Sequence, residues 1–339
     1  MKALVIKRPG EAVIEGIAEP PNPGRPEELL LKVQMVGLCG SDLNSFRGKN
    51  PMVTFPRIPG HEVSATIVEG SKQDPRLTAG VNVTMSPYTS CGKCASCRRG
   101  RPNACQFNQT LGVQRDGAMT ELITMPADKL YPASLSIKEL CLVEPLTVGF
   151  HAANRGQVTR DDTVAVFGCG GVGLGAISGS HFLGGRTIAI DVDDAKLEIA
   201  RKAGASDVIN SKNNSVHREL LRLTEDRGPD VVIEAIGLPE TFRAAVEEVA
   251  FTGRVVYIGY PKDLVTYETR LFVQKELDIL GSRNALPEDF RSVISMLERG
   301  LFPVEDAVTT IIQLEEAPQI LREWSEEPAR FTKIMVNLC

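Results

Sequence analysis

Val164-Ala165-Val166-Phe167-Gly168-Cys169-Gly170-Gly171-Val172-Gly173 is the stretch that decides the fold. Four apolar residues run into a glycine-rich turn, and a further apolar segment dotted with glycine follows. A buried strand passing through a tight turn into a helix has this composition. G-x-G-x-x-G alone is a weak signal; the strand before it and the helix after it give it weight. Gly168 permits the turn, Gly170 lets the backbone approach a pyrophosphate, and Gly173 allows close helix–strand packing. Gly171 and Val172 open the helix, whose first N–H groups and positive dipole end meet the phosphates. The second strand ends in Asp191, 23 residues after Gly168, where an acid accepts hydrogen bonds from the adenosine ribose. A carboxylate there repels a 2′-phosphate, and Val192 rather than arginine comes next, so NAD is favoured over NADP. Cys169 reads as a small filler within the loop.

Outward from this stretch the chain has two rhythms. On the C-terminal side, Val164–Phe167, Thr187–Ile190, Asp207–Ile209, Val231–Glu234 and Arg254–Ile258 read as strands. Amphipathic stretches such as Asp194–Ala203 and Glu240–Ala250 separate them, the alternation of a parallel, doubly wound α/β sheet. Beyond Arg283 come a helix, Glu288–Arg299, and a last strand, Lys333–Leu338. On the N-terminal side, Lys2–Ile6, Ala12–Ile17 and Leu29–Val36 have strand patterns broken by turns such as Pro20-Pro21-Asn22-Pro23-Gly24. Repeated prolines (56, 59, 87, 102, 126, 132) make long helices improbable before about residue 145.

Composition narrows the function. A chain of 339 residues has room for two domains and a large core, so no disulfide staple is required. A net charge of −5 without a basic cluster, and only 18 aromatic residues, speak against a nucleic-acid partner. The first residues, Met1 to Arg8, hold too short an apolar run for a signal peptide, and a cytoplasmic location is expected. Thr163 to Gly185 carries no Asp, Glu, Lys or Arg, but its glycines and His181 fit a buried strand–turn–helix better than a membrane span.

Without a secretory signal, clustered cysteines read first as metal ligands. Cys91-x-x-Cys94-x-x-Cys97 is followed by Cys105 after seven intervening residues. Four thiolates so close in sequence can close a tetrahedral shell around zinc, and four protein ligands leave no open position for chemistry. An iron–sulfur cluster fits less well, because the fourth cysteine is not three residues on and no proline follows it. A second set is scattered: Cys39 in Gly37-Leu38-Cys39-Gly40-Ser41-Asp42, His61-Glu62 in Pro59-Gly60-His61-Glu62, and Glu144-Pro145. Each of these alone is weak, since a lone Cys or His is more often a packing residue.

Taken in order, these segments, with Glu144 to Ala152 and Gly281-Ser282-Arg283-Asn284-Ala285, resemble the zinc-dependent medium-chain dehydrogenase/reductase superfamily, nearest its polyol dehydrogenase branch. Together with Pro287-Glu288-Asp289-Phe290, the terminal blocks are similar to bacterial L-galactonate and L-gulonate 5-dehydrogenases and their starvation-sensing relatives. The resemblance implies a β-rich GroES-like catalytic domain (1–145), a Rossmann domain (146–285) and a return to the first domain (286–339). It implies two zinc ions per chain, NAD, a small polyhydroxylated substrate such as a sugar acid, and a homo-oligomer, dimer or tetramer. Cys39, His61 and Glu144 would hold the catalytic zinc, with Glu62 as an exchangeable fourth ligand or a neighbour. Such an oxygen-rich site suits a substrate offering several hydroxyls. Asp42 would orient the His61 imidazole. Ser41 would be the first proton acceptor as hydride leaves for the nicotinamide.

The sequence departs from the family in places. Many relatives have His three residues after the relay Ser, and Asn44 here cannot take up a proton. The relay would then run through ribose hydroxyls, water or Glu62. Arg47, Arg57 and Arg283 are candidates to pair with a substrate carboxylate, and Arg283 is grouped with the cofactor contacts as well. His151 reads as a core histidine sooner than a nicotinamide neighbour. Two other readings stay open: a dehydrogenase of another alcohol, such as threonine or butanediol, and a nucleotide-binding sensor without turnover.

Overall fold

The computed structural model describes residues 1–20, 27–71 and 73–338, so the expected turn at Pro20–Gly24 lies largely outside the described residues. In chain order the strands are β1 (Lys2–Arg8), β2 (Glu11–Gly16), β3 (Glu28–Leu38), β4 (Glu62–Ile67), β5 (Asn82–Met85), β6 (Leu122–Pro126) and β7 (Leu130–Pro132). They continue as β8 (Thr163–Phe167), β9 (Arg186–Asp191), β10 (Asp207–Asn210), β11 (Val231–Glu234), β12 (Arg254–Tyr257) and β13 (Asp278–Gly281). The last two are β14 (Thr310–Gln313) and β15 (Ile334–Asn337). The chain divides into two compact units, Met1–Glu144 with Val304–Cys339, and Pro145–Pro303.

The first unit is built around β3. Its sheet runs β14-β15-β3-β4-β5-β7, with β6 also pairing β3, and β1 and β2 form a separate antiparallel pair. Leu31, Val33 and Val36 of β3 are fully buried, packed in one core with Val63, Ala65, Ile67, Val83 and Met85. At about 2 kcal/mol per fully buried aliphatic side chain, this core fixes the registers that deliver the functional residues. The expectation of no long helix before residue 145 is not met: Ile137–Arg155 is one helix of 19 residues with Pro145 inside it. Leu140, Val143, Leu146 and Phe150 along it are 1% exposed or less. Burial on that scale outweighs the ~3 kcal/mol that an interior proline costs a helix.

The second unit is a six-stranded parallel sheet, ordered β10-β9-β8-β11-β12-β13. Counted from β8, this is the doubly wound order whose direction reverses between its first and fourth strands. Val164, Ala165 and Val166 of β8 are wholly buried, as a central parallel strand covered on both faces requires. The helix Asp194–Lys202 starts where Asp193 caps the N–H groups of Ala195 and Lys196. The helix Val216–Leu223 starts under Ser215 in the same way. The helix Pro287–Glu298, expected to belong with the returning segment, stays in the second unit. Its Asp289 bonds His151 and Asn154 there, at 2.9 and 2.7 Å. Among the described residues no helix is long and apolar enough to cross a membrane. The charge-free stretch is β8 followed by the helix Gly171–Phe182.

Candidate active site

Two strand registers assemble the scattered residues. β3 and β4 pair antiparallel with Gly37 opposite Glu62, which sets Cys39, just past the end of β3, beside His61, just before β4. The ligand atoms of Cys39, His61 and Glu62 lie within 4.8 Å of one another, and His61 and Glu62 are buried. β15 pairs β3 on its other side with Ile334 opposite Leu38, which delivers Lys333 to the same place. The buried Lys333 ammonium donates to a Glu62 oxygen and, at 3.3 Å, to the Leu38 carbonyl. Gly37 makes this possible, because a Cβ there would stand 2.1 Å from Glu62 Oε2.

Ser41 and Asp42 come from the helix Gly40–Phe46 that Cys39 caps. Ser41 Oγ is 3.5 Å from His61 Nε2. Asp42 is fully buried, and its carboxylate accepts the Cys39 N–H at 2.9 Å and the Gly60 N–H at 3.3 Å. It thereby ties the two ligand-bearing segments together. Asp42 Oδ1 stands 3.9 Å from His61 Nδ1, an electrostatic neighbour beyond hydrogen-bond reach.

Glu144 lies at the edge of this group. It is buried, but its carboxylate is not in the close group and instead accepts a hydrogen bond from the Tyr88 hydroxyl. β3–β4 pairing fixes Glu62 next to His61, and Glu144 remains close enough to His61 to raise its pKa. Burial, opposed by His61 and reinforced by Glu62, pushes the Glu144 carboxyl up to about 7. Burial works against a charged His61, yet Asp42 and Cys39 overcome it and hold the imidazole well above its usual range. A half-buried thiol, a buried imidazole and two buried carboxylates form a donor set suited to a divalent cation.

The four-cysteine lobe is self-contained. Cys91, Cys94, Cys97 and Cys105 place their sulfurs within 4.8 Å of one another, with Cys94 Sγ 3.5 Å from Cys97 Sγ and 3.8 Å from Cys105 Sγ. A tetrahedron of Zn–S bonds has edges of about 3.8 Å, so the spacing fits zinc. Backbone N–H groups of Cys91, Cys94 and Phe107 already point at sulfurs of the set. The Ser96 hydroxyl, with nearby backbone N–H groups, lowers the Cys94 thiol to about 5.

In the second unit, a cavity of about 560 Å³ opens at the ends of β8, β9 and β11, lined by Gly168, Gly170, Asp191, Val192, Ile236 and Thr241, among others. Gly168 has φ +98°, and a Cβ on Gly173 would lie 1.9 Å from the Gly168 carbonyl oxygen. Beside Gly170 and Gly171 a Cβ would meet nothing within 4 Å, which leaves the open space a pyrophosphate needs. Asp191 accepts the N–H groups of Cys169 and Val192 at 2.8 and 2.7 Å, which fixes its carboxylate on the cavity wall. Val172 is in the first turn of the helix. Arg283 follows β13, at the far edge of the sheet, and is not among the residues lining this cavity.

Two of the arginines expected to await a substrate carboxylate are already engaged. Arg47 donates to the Ser325 hydroxyl and carbonyl, and Arg57 pairs with Asp116 at 3.0 Å. His151 is the core histidine expected, bonded to Asp289. Sequence reasoning missed Lys333, Tyr88 and Gly37. Lys333 stood at the head of an expected strand, and only the β15–β3 register reveals what it faces.

The family profile described as "Alcohol dehydrogenase GroES-like domain" matches residues 25–135, and that described as "Zinc-binding dehydrogenase" matches 171–299. The chain belongs to the zinc-type, medium-chain alcohol dehydrogenase family, in its polyol branch, and is an oxidoreductase. It is 32% identical to the sorbitol dehydrogenase of Bacillus subtilis (strain 168), over 99% of this chain and 97% of the relative. It is 29% identical to the L-galactonate-5-dehydrogenase of Escherichia coli (strain K12), over 91% of each. The structure of RspB from Escherichia coli CFT073, complexed with NADH, is similar at a TM-score of 0.90 and 27% identity, covering 100% of this chain and 99% of that one. A structure from Sinorhizobium meliloti 1021 bound to NADP is similar at 0.90 and 26%, covering 99% of each.

Proposed function

We propose that this chain oxidises a secondary alcohol of a sugar acid or polyol with NAD, using one catalytic and one structural zinc ion. The observation that carries the reading is the convergence of Cys39, His61 and Glu62, from two strand ends, within 4.8 Å. Cys39 and His61 hold the catalytic zinc, and the two carboxylates Glu62 and Glu144 share the remaining protein position. Glu62 also accepts from Lys333, and Glu144 from Tyr88. The structural zinc sits among Cys91, Cys94, Cys97 and Cys105. Zinc, when bound, acidifies a substrate hydroxyl. NAD, when bound, accepts the hydride.

The chain's own residues do the rest. Ser41 takes the substrate proton, and Asn44, three residues on, cannot take it further. The proton leaves by solvent, ribose hydroxyls or Glu62. Asp42 holds the Cys39 and Gly60–His61 segments in register through its two backbone bonds. Gly168, Gly170, Gly171, Val172 and Gly173 receive the pyrophosphate. The fixed Asp191 carboxylate accepts the ribose hydroxyls and disfavours a 2′-phosphate. Arg283 lies on the same C-terminal rim of the parallel sheet and serves the cofactor. The edge strand β13, with Ile279 exposed on it and Val273 exposed on the preceding helix, supports assembly into a homo-oligomer.

NADH formation measured over a panel of hexonates and polyols, before and after a chelator, tests the reading. Turnover that the chelator abolishes and zinc restores is the expected result. Tight NADH binding with no turnover on any alcohol would leave only a sensor.

A further inference from the structure

Arg115 is a guanidinium short of partners. It is half-buried, and its Nε is shielded from solvent with no hydrogen-bond partner. Its hydrogen bond is a long one, 3.3 Å from Nη2 to the Pro87 carbonyl. Among the described residues no carboxylate lies within ion-pair distance of it. Burial lowers its pKa and no anion acts in the other direction. Arg57 nearby also buries an unpartnered Nε, but its two terminal nitrogens are paired with Asp116 and Thr54. A cation desolvated without a counter-ion is costly to keep unless something else completes it.

Its position says what completes it. Arg115 sits in a loop clamped between the two segments that carry the candidate site. On one side, Pro87 accepts from Arg115 and from the Leu111 N–H, and the next residue, Tyr88, holds Glu144. On the other, Gly117, Ala118 and Met119 donate to Ile58, Gly60 and Pro59, the residues leading into His61. A Cβ on Gly117 would lie 2.4 Å from the Pro59 carbonyl oxygen, so the loop packs against that segment more closely than any residue but glycine allows. A planar, rigid fork with most of its donors unspent is the group that recognises a carboxylate bidentately.

We propose that Arg115 binds the carboxylate of an acidic polyhydroxylated substrate and so makes this chain prefer sugar acids to neutral polyols. The inference rests on the proposed alcohol oxidation at the Cys39–His61 site. One guanidinium matches the single charge of a carboxylate better than the dianion of a phosphate ester.

The test compares the wild-type holoenzyme with Arg115→Gln and Arg115→Lys, on hexonates, the matching hexitols and a hexitol phosphate. Arg115→Gln should raise KM for hexonates on the order of 10- to 100-fold, with kcat and hexitol kinetics nearly unchanged and Arg115→Lys in between. Calorimetry of hexonate binding to the NADH-loaded protein should show salt-sensitive binding that Arg115→Gln abolishes. Unchanged hexonate kinetics, an equal loss on hexitols, or a larger loss on the phosphate ester would overturn the proposal. Turnover of neutral polyols without hexonate binding would overturn it while the proposed oxidation stands. Hexonate binding that depends on Arg115 without turnover of any alcohol would uphold it and remove the oxidation.

Discussion

The two cysteine-containing centres differ in how far apart their ligands lie in sequence, and that difference governs how each is built. The four-cysteine lobe gathers its ligands between Cys91 and Cys105, where turns and short helices set the geometry locally. The Cys39–His61–Glu62 group takes its shape from strand registers that join β3 to β4 and to β15. A local centre is a folding device for its own loop. A non-local one inherits whatever else those registers deliver, here the Lys333 ammonium against Glu62 and Tyr88 against Glu144.

Paired variants break the comparison most sharply. Cys97→Ser and His61→Ala should each reduce bound zinc from two ions per chain to one, as read by elemental analysis. His61→Ala should lower turnover ~1000-fold, equivalent to ~4 kcal/mol, whereas Cys97→Ser should mainly lower the melting temperature. Equal effects on turnover would erase the distinction between the centres.

Lys333→Met probes what the registers add. It leaves Glu62 buried and unpaired, and breaking a buried pair costs about 3 kcal/mol. Urea unfolding should show that loss in zinc-free protein and a smaller one with zinc, whose charge then serves Glu62. The same stability with and without Lys333, in both states, would mean the pair is idle.

Glu144→Ala should reduce turnover roughly 100-fold with NAD affinity nearly intact by fluorescence titration. A wild-type rate would refute its part in the site. The smallest effect belongs to the second unit: Asp191→Ala should relax the preference for NAD over NADP about 10-fold. An unchanged ratio of kcat/KM values would place the discriminating group elsewhere.

These contrasts follow what the sequence could express. The nucleotide turn, Asp191 and the four cysteines were legible because spacing along the chain sets their geometry. β13 was missed because four residues with an exposed pattern at a sheet edge leave no periodic signal. The helix through Pro145 was missed because buried neighbours outweigh the proline, a tertiary effect. Cys39, His61 and Glu144 stand out through motif order, but the pairing of Glu62 with Lys333 does not. It depends on Gly37 leaving room for a carboxylate and on a lysine 271 residues away. Arg47 and Arg57 read as candidates for a substrate carboxylate because their partners, Ser325 and Asp116, lie 278 and 59 residues off.

Anomalous diffraction at the zinc edge, on crystals of the zinc-loaded protein, reaches the centre of this account most directly. Two peaks are predicted, one inside the four-cysteine lobe and one within ~2.0–2.3 Å of both Cys39 and His61. A single peak in the cysteine lobe, with Cys39 and His61 bare in protein that turns over substrate, would contradict it.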